Sequence, residues 1–282
     1  MIRKKEDVAT QLIDNLRTNI EAIRQEAKSN SITAARRNRL NQEIQKVGLE
    51  VEELLRDIDP IKLPPAMFDP ANPNLVGRFI ALALVSQPLV PLVEVVDFYG
   101  AGVYAIYYRG EFDAYQPISG KEVPIYVGKA DPDTATARTP IEQKARLSGR
   151  LKEHRKNIAK ATTTLDVSDF DCRYLVVQSG WEKPAESFLI DFFKPVWNNE
   201  TAICYGLGKH GDAAETRANK RSPWDTMHPG RSWAVKTVED AMPEATIRTK
   251  LTAHFTSAEA SGRLFNDRTD VLNAFIEGLK FS

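Results

Sequence analysis

The sequence is short of cysteine, of net charge and of long apolar runs, and each shortage removes a class of protein. Two cysteines, Cys172 and Cys204, cannot build a disulfide framework in 282 residues and fit a reducing compartment. Lys plus Arg number 38 and Asp plus Glu number 38, so no overall field draws the chain to nucleic acid. Any such role needs a local patch. The most apolar stretch, Phe79 to Val96, is broken by Gln87, Pro88 and Pro91 before it reaches the ~18 residues of a membrane span. The opening Met1-Ile-Arg-Lys-Lys-Glu-Asp leads into an amphipathic stretch and not an apolar signal core, which predicts a cytoplasmic chain. The histidines and cysteines are scattered without zinc spacing, and Gly206-Leu-Gly-Lys-His-Gly lacks the Ser or Thr of a phosphate loop. At 42% hydrophobic residues the chain can bury a core as one or two domains.

Periodicity then divides the chain. Ile13, Leu16, Ile20 and Ile23 follow 3-4-3 spacing; Leu40, Ile44, Val47, Val51, Leu54 and Ile58 follow 4-3-4-3-4. Both patterns predict helices with one apolar face, joined by a turn at Lys28-Ser-Asn-Ser-Ile with Ser31 or Thr33 as N-cap. Residues 1–60 therefore read as an antiparallel helical hairpin, packed on its own domain, on a second copy or around a ligand. Residues 61–97 read as a linker and a helix: five prolines between Pro60 and Pro73 predict extended chain, and Leu75 to Leu84 a helix. Residues 98–200 predict a small α+β layer in the order ββαβα. Its strands are Gly102–Tyr108, Glu122–Gly128 and Asp169–Val177; its helices run from about Thr139 to Lys160 and Pro184 to Phe193. Residues 201–282 read as irregular, Gly- and Trp-containing chain followed by a helical tail.

The candidate chemistry lies in the α+β layer. Tyr104 follows Gly102-Val103 on the first strand, and Tyr126 precedes Val127-Gly128 on the second. Alone, each is an ordinary strand tyrosine. Arg150 and His154 sit at i and i+4, on one face of the following helix. Glu186 lies early in the next helix, where a carboxylate also suits the helix dipole, and Asn198 follows that helix.

In this order the residues resemble the GIY-YIG nuclease family, over about residues 98–199. The two triplets appear as Gly102-Val103-Tyr104 and Tyr126-Val127-Gly128, each with Val for the central Ile. The long insert between them and the Arg-x-x-x-His helix resemble the type II restriction endonuclease branch. The resemblance implies a small sheet flanked by helices and a catalytic set of Tyr104, Tyr126, Arg150, His154, Glu186 and Asn198. It also implies one Mg²⁺ held by Glu186, with Mn²⁺ able to substitute, and Tyr104 as general base passing its own proton to His154. The implied partners are double-stranded DNA, a second copy of the chain and a cognate methyltransferase in a bacterial cytoplasm. The target would be palindromic and GC-rich. The alternatives are a nuclease of the same superfamily acting on branched or modified DNA, and a DNA-binding module without catalysis.

Charge patterning supports a nucleic-acid partner independently. From Lys144 to Lys160 seven basic residues face one acidic residue, Glu153, a local footprint for backbone phosphates. Lys129, Lys152 and Arg155 are expected to contact DNA. The segment from Lys209 to Trp233 mixes basic, amide and aromatic groups on irregular backbone, which suits base reading by Arg217, Lys220, Arg221 and Arg231. Its plain alternative is a structural loop pinned by Trp224 and Trp233.

Overall fold

The computed structural model describes residues 2–28, 34–58, 61, 69–208, 220–235, 237 and 239–279. They fall into two compact units, residues 1–67 and 68–282. The first unit holds α1 (Ile2–Lys28) and α2 (Ala34–Ile58). The two predicted stripes do lie on helices, but Ile13, Leu16, Ile20, Ile23, Ile44, Val47, Leu54 and Ile58 are all exposed. An Arg36–Glu26 ion pair of 2.5 Å links the helices. The predicted turn and its caps lie outside the described residues.

The second unit is built on a four-stranded antiparallel sheet in the order β1-β4-β2-β3. Its strands are β1 (Val90–Pro91), β2 (Gly102–Tyr108), β3 (Tyr126–Ala130) and β4 (Phe170–Val176). The expectation was three strands. The fourth, β1, is a two-residue edge carrying Pro91, too short to leave a periodic signal and placed where a missing N–H does no harm. All seven residues of β2 are buried, so its Val, Tyr, Ala and Ile run has no polar alternation. Burying one such aliphatic or aromatic side chain contributes about 1.5–3 kcal/mol. This central strand therefore anchors the unit.

Helix α3 (Pro73–Val85) packs on α6 (Glu182–Phe193). Pro73, expected in the linker, is instead the first residue of α3, with Asn72 capping through its side chain, because proline's missing N–H is free of duty at that position. The single helix expected from Thr139 to Lys160 is two: α4 (Pro140–Gln143) and α5 (Arg146–Ile158). Lys144 breaks it at φ 60°, and its carbonyl accepts the Gly100 N–H at 2.7 Å while Leu147 N–H reaches Gly100 O at 2.9 Å. The break thus stitches the start of α5 to the entry of β2. After α6, which Lys194 ends in the left-handed region, come α7 (Pro223–Met227), α8 (Ser232–Val235), α9 (Glu244–Ala260) and α10 (Arg268–Glu277).

Strand β3 is the sheet's other edge, and its outer side is covered. Trp197 N–H donates to Ile125 O at 3.1 Å. The Asn198 amide bridges both backbone groups of Val127: its Oδ1 accepts the Val127 N–H at 3.0 Å and its Nδ2 donates to Val127 O at 2.8 Å. A side chain thus imitates a neighbouring strand and closes an edge that would otherwise be open to pairing. No helix among the described residues is long and apolar enough to cross a membrane.

Candidate active site

Register places the two triplet tyrosines together. Tyr104 on β2 pairs with Gly128 on β3, two residues from Tyr126. A Cβ at Gly128 would lie 2.5 Å from the Tyr104 hydroxyl, so the closing glycine is what leaves room for that ring. The Tyr104 and Tyr126 ring centroids are 6.1 Å apart. Helix α5, anchored at Gly100, brings His154 against both: its ring is 4.9 Å from that of Tyr126, and its Nε2 is 2.6 Å from the Tyr104 hydroxyl.

One turn earlier on the same face, Arg150 reaches a cavity of about 710 Å³, lined also by Tyr126, Glu186, Asn198, Glu200, Tyr205 and Lys220. Four of the six residues of the expected catalytic set line this cavity. Tyr104 and His154 lie directly behind them, both fully buried.

Burial sets the electrostatics. It raises the Tyr104 hydroxyl well above its ordinary pKa; nearby Tyr126 adds to this and Arg150 opposes it. Burial likewise raises Tyr126, again opposed by Arg150. The His154 imidazole is held well below its usual range, first by burial and then by the positive charges of Arg150 and Arg231. It is therefore neutral in the resting site, and the same surroundings oppose its taking up a proton. Its Nδ1 is buried and meets no hydrogen-bond partner among the described residues. Burial pushes Glu186 up to about 7; Lys129 opposes the shift, while Glu200 and Asp131 reinforce it.

The basic residues separate into different environments. Lys129 pairs with Asp131, and together with Glu186 it lines a smaller cavity of about 230 Å³. Lys152 pairs with Asp97 at 2.7 Å, and Lys144 and Arg146 share Asp133. Three of the seven basic residues are thus paired with two carboxylates from outside their own segment, and Arg150 pairs with Glu153 within it. Arg155 donates to the carbonyls of Val93 at 2.8 Å and Val95 at 3.3 Å, so it holds the chain ahead of β2. Lys220 lines the main cavity and lies 3.1 Å from Glu239, both side chains exposed, and Arg221 pairs with Asp240 at 2.7 Å.

Arg231 requires a correction. It is not on a base-reading surface but buried, with both ends of its guanidinium on Asp225. A buried charge stays only where it is paired, and this one is spent on the interior. Arg217 lies outside the described residues. Glu200 and Tyr205 were not anticipated, because a single 3₁₀ turn, Asn199–Thr201, and irregular backbone carry them to the cavity and neither leaves a periodic mark.

A family model described as the Eco29kI GIY-YIG domain, from a type II restriction endonuclease family, matches residues 96–255. The match spans more than half of the chain, and the chain belongs to this family. No curated protein matches the sequence.

Proposed function

With that membership as premise, we propose that this nuclease is a site-specific type II restriction endonuclease that hydrolyses both strands of double-stranded DNA at a palindromic site. The observation that carries the mechanism is the Tyr104 hydroxyl, 2.6 Å from His154 Nε2 behind a cavity lined by Arg150 and Glu186. In this reading a scissile phosphate enters the cavity, and Arg150 donates its planar fork to the phosphoryl oxygens. Tyr104 takes a proton from the attacking water as its own passes to neutral His154. The water oxygen bonds to phosphorus, the P–O bond to the leaving oxygen breaks, and that oxygen takes up a proton.

A tyrosine of pKa ~10 is about 3 units from neutrality, roughly 4 kcal/mol, and burial enlarges the deficit. The positive charge of Arg150 favours the tyrosinate, while the acceptor at hydrogen-bond distance takes the proton against the same charge, so the transfer is coupled to loss of the proton from water. Because Tyr126 lines the cavity and Tyr104 does not, a second reading deserves a test: Tyr126 meets the water first and relays the proton through Tyr104.

Glu186 fits a hard divalent cation. A carboxyl held near pKa 7 by burial is one that an adjacent cation would bring fully to its ionised form. Among the described residues no group of three His, Cys, Asp or Glu side chains forms a metal cage. The cation of this reading is Mg²⁺ held by one carboxylate, phosphate and water, a mode that needs no such cage, with Mn²⁺ able to substitute. When bound, the cation would neutralise charge developing on the phosphoryl oxygens.

One site per chain cuts one strand, so cutting both calls for a homodimer whose two-fold symmetry matches the palindrome. Lys129, Lys152, Lys220 and Arg221 supply candidate phosphate contacts. A methyltransferase in the same bacterial cytoplasm would protect host DNA.

The test is to digest phage DNA with magnesium and sequence the ends. Discrete ends at one short palindrome are expected. Cutting confined to branched or modified DNA would instead indicate repair or mobility, and absence of metal-dependent cutting a binding module. Glu186→Ala is expected to lose cleavage by about 10³-fold or more while DNA binding in a gel-shift assay is largely kept. An active variant removes the metal role.

A further inference from the structure

Arg150 approaches the cavity from α5, but its helix alone does not fix its pose. Its Nη1 donates to Glu153 Oε2 at 2.6 Å on its own helix. On the other side lies Gly208, where a Cβ would sit 2.9 Å from Arg150 Nη2. Gly208 ends the described part of an irregular segment, Tyr205 to Gly208, that forms one wall of the cavity. Irregular backbone has no ladder to set its position. Something else must hold it.

That holder is Arg231. Its Nε and Nη2 donate to the two Asp225 carboxylate oxygens at 2.6 and 2.7 Å. From the same guanidinium, Nη1 donates to Leu207 O at 2.9 Å and Nη2 to Gly206 O at 2.9 Å. The guanidinium stacks over Trp224 at 4.7 Å and Trp233 at 5.2 Å. Asp225 is fixed in turn by the Ser222 hydroxyl at 2.5 Å. Leu207 O also accepts from Asn157 Nδ2 of α5 at 3.4 Å, tying the segment to the helix that carries Arg150 and His154. Only a planar fork can grip two carboxylate oxygens and two consecutive carbonyls at once; a lysine ammonium cannot.

We propose that Arg231 is a positioning residue: through Gly206 and Leu207 it holds Gly208 as a backstop that sets the pose of the Arg150 guanidinium toward the scissile phosphate. The inference deepens the reading above and rests on it for the role of Arg150, but the geometry can be tested without DNA.

The experiment uses the full chain with ¹⁵N-labelled arginine. The Arg150 Nε–H resonance is assigned by its loss in Arg150→Lys, and cleavage is followed in single-turnover and steady-state assays. Gly208→Ala is the principal variant. Its φ is outside the left-handed region, and among the described residues its Cβ meets only the end of a flexible side chain, which can give way. It should move the Arg150 resonance and lower the single-turnover rate about 10- to 100-fold, with KM within about twofold, since misplacement of about 1 Å can cost 10²-fold. Arg231→Lys should move the same resonance. An unmoved Arg150 resonance in Gly208→Ala, or in a folded Arg231→Lys, overturns the proposal. A moved resonance with cleavage unchanged in both Gly208→Ala and Arg150→Lys upholds the clamp and strikes instead at Arg150's role on the phosphate.

Discussion

Among the described residues stand two buried tyrosine–histidine pairs of nearly identical length. Tyr104 lies 2.6 Å from His154 Nε2; Tyr115 lies 2.7 Å from His228 Nε2. What separates them is the surroundings. The Tyr115 hydroxyl also accepts the Trp197 indole N–H at 2.9 Å and meets Cys204 Sγ at 3.4 Å. His228 uses its second nitrogen on Thr164 Oγ1 at 3.0 Å, and the rings of Phe112, Trp197 and Trp224 close around it. Neither residue lines the main cavity. Every polar atom of that pair is engaged by core neighbours, and none of those neighbours but Trp197 lines the cavity. The Tyr104–His154 pair keeps one ring nitrogen without a partner among the described residues and lies behind Arg150 and Tyr126, which do line the cavity. Proximity of a tyrosine and a histidine is therefore not what marks a reactive pair. A place directly behind the cavity wall and a charge facing the pair are.

The largest effect should come from breaking the hydroxyls one at a time. Tyr104→Phe is expected to lower the single-turnover cleavage rate by about 10³-fold with little change in melting temperature. Tyr115→Phe should leave the rate of the folded protein unchanged and cost stability instead, because it leaves the His228, Trp197 and Cys204 groups short of a partner in the interior. Loss of turnover in a stably folded Tyr115→Phe would end the distinction between the pairs. Tyr126→Phe sharpens it further: a loss equal to that of Tyr104→Phe favours the two-tyrosine relay, and a small loss favours Tyr104 as direct base.

The histidines should follow with smaller numbers. His154→Gln is expected to cost about 10²-fold in rate, because the proton leaving Tyr104 loses its acceptor. His228→Ala is expected to cost about 2–4 kcal/mol in denaturant unfolding, as a cavity plus unpaired Tyr115 and Thr164 hydroxyls. Its rate per folded molecule should stay near that of the parent. An exchange of these outcomes would mean that the assigned roles are reversed.

The same contrast explains what could be read from sequence. Strand β2 was legible to its ends, since Gly102 and Tyr108 bound an unbroken apolar run, and the Arg150/His154 face followed from helical spacing. The pair at Tyr115 and His228 was not legible: 113 residues separate its members, and no local pattern links them. The second strand was expected from Glu122 but begins at Tyr126: Glu122 N–H is spent on Phe265 O, Pro124 has no N–H, and Ile125 N–H reaches Ile106 O just ahead of the ladder. Seven basic residues on one stretch looked like a free patch because the counter-charges of three of them, Asp133 for Lys144 and Arg146 and Asp97 for Lys152, lie outside that stretch. Arg231 looked like a reader of bases for the same reason. Composition shows how many charges a segment carries, while tertiary structure decides which are already spent.

The smallest effect tests how firmly the inert pair is closed to protons. Burial drives His228 down to about 3, whereas an unfolded histidine titrates near 6.5. A base whose folded pKa is depressed contributes stability that is present above 6.5 and is lost as the pH falls below that value, because only the unfolded chain takes up the proton. The slope from one such group is about 1.4 kcal/mol per pH unit. His154, also held down by burial, adds a slope of the same sign, while Glu186, raised to about 7, acts in the opposite direction over the same window. The sum is therefore uninformative, but a difference is not. Unfolding free energies measured from pH 6.5 to 5 in the parent and in His228→Gln share the His154 and Glu186 contributions. The parent should fall more steeply by about 1.4 kcal/mol per pH unit. Parallel curves would mean that folded His228 accepts a proton after all, and that the pair in the core is as open to proton exchange as the one behind the cavity.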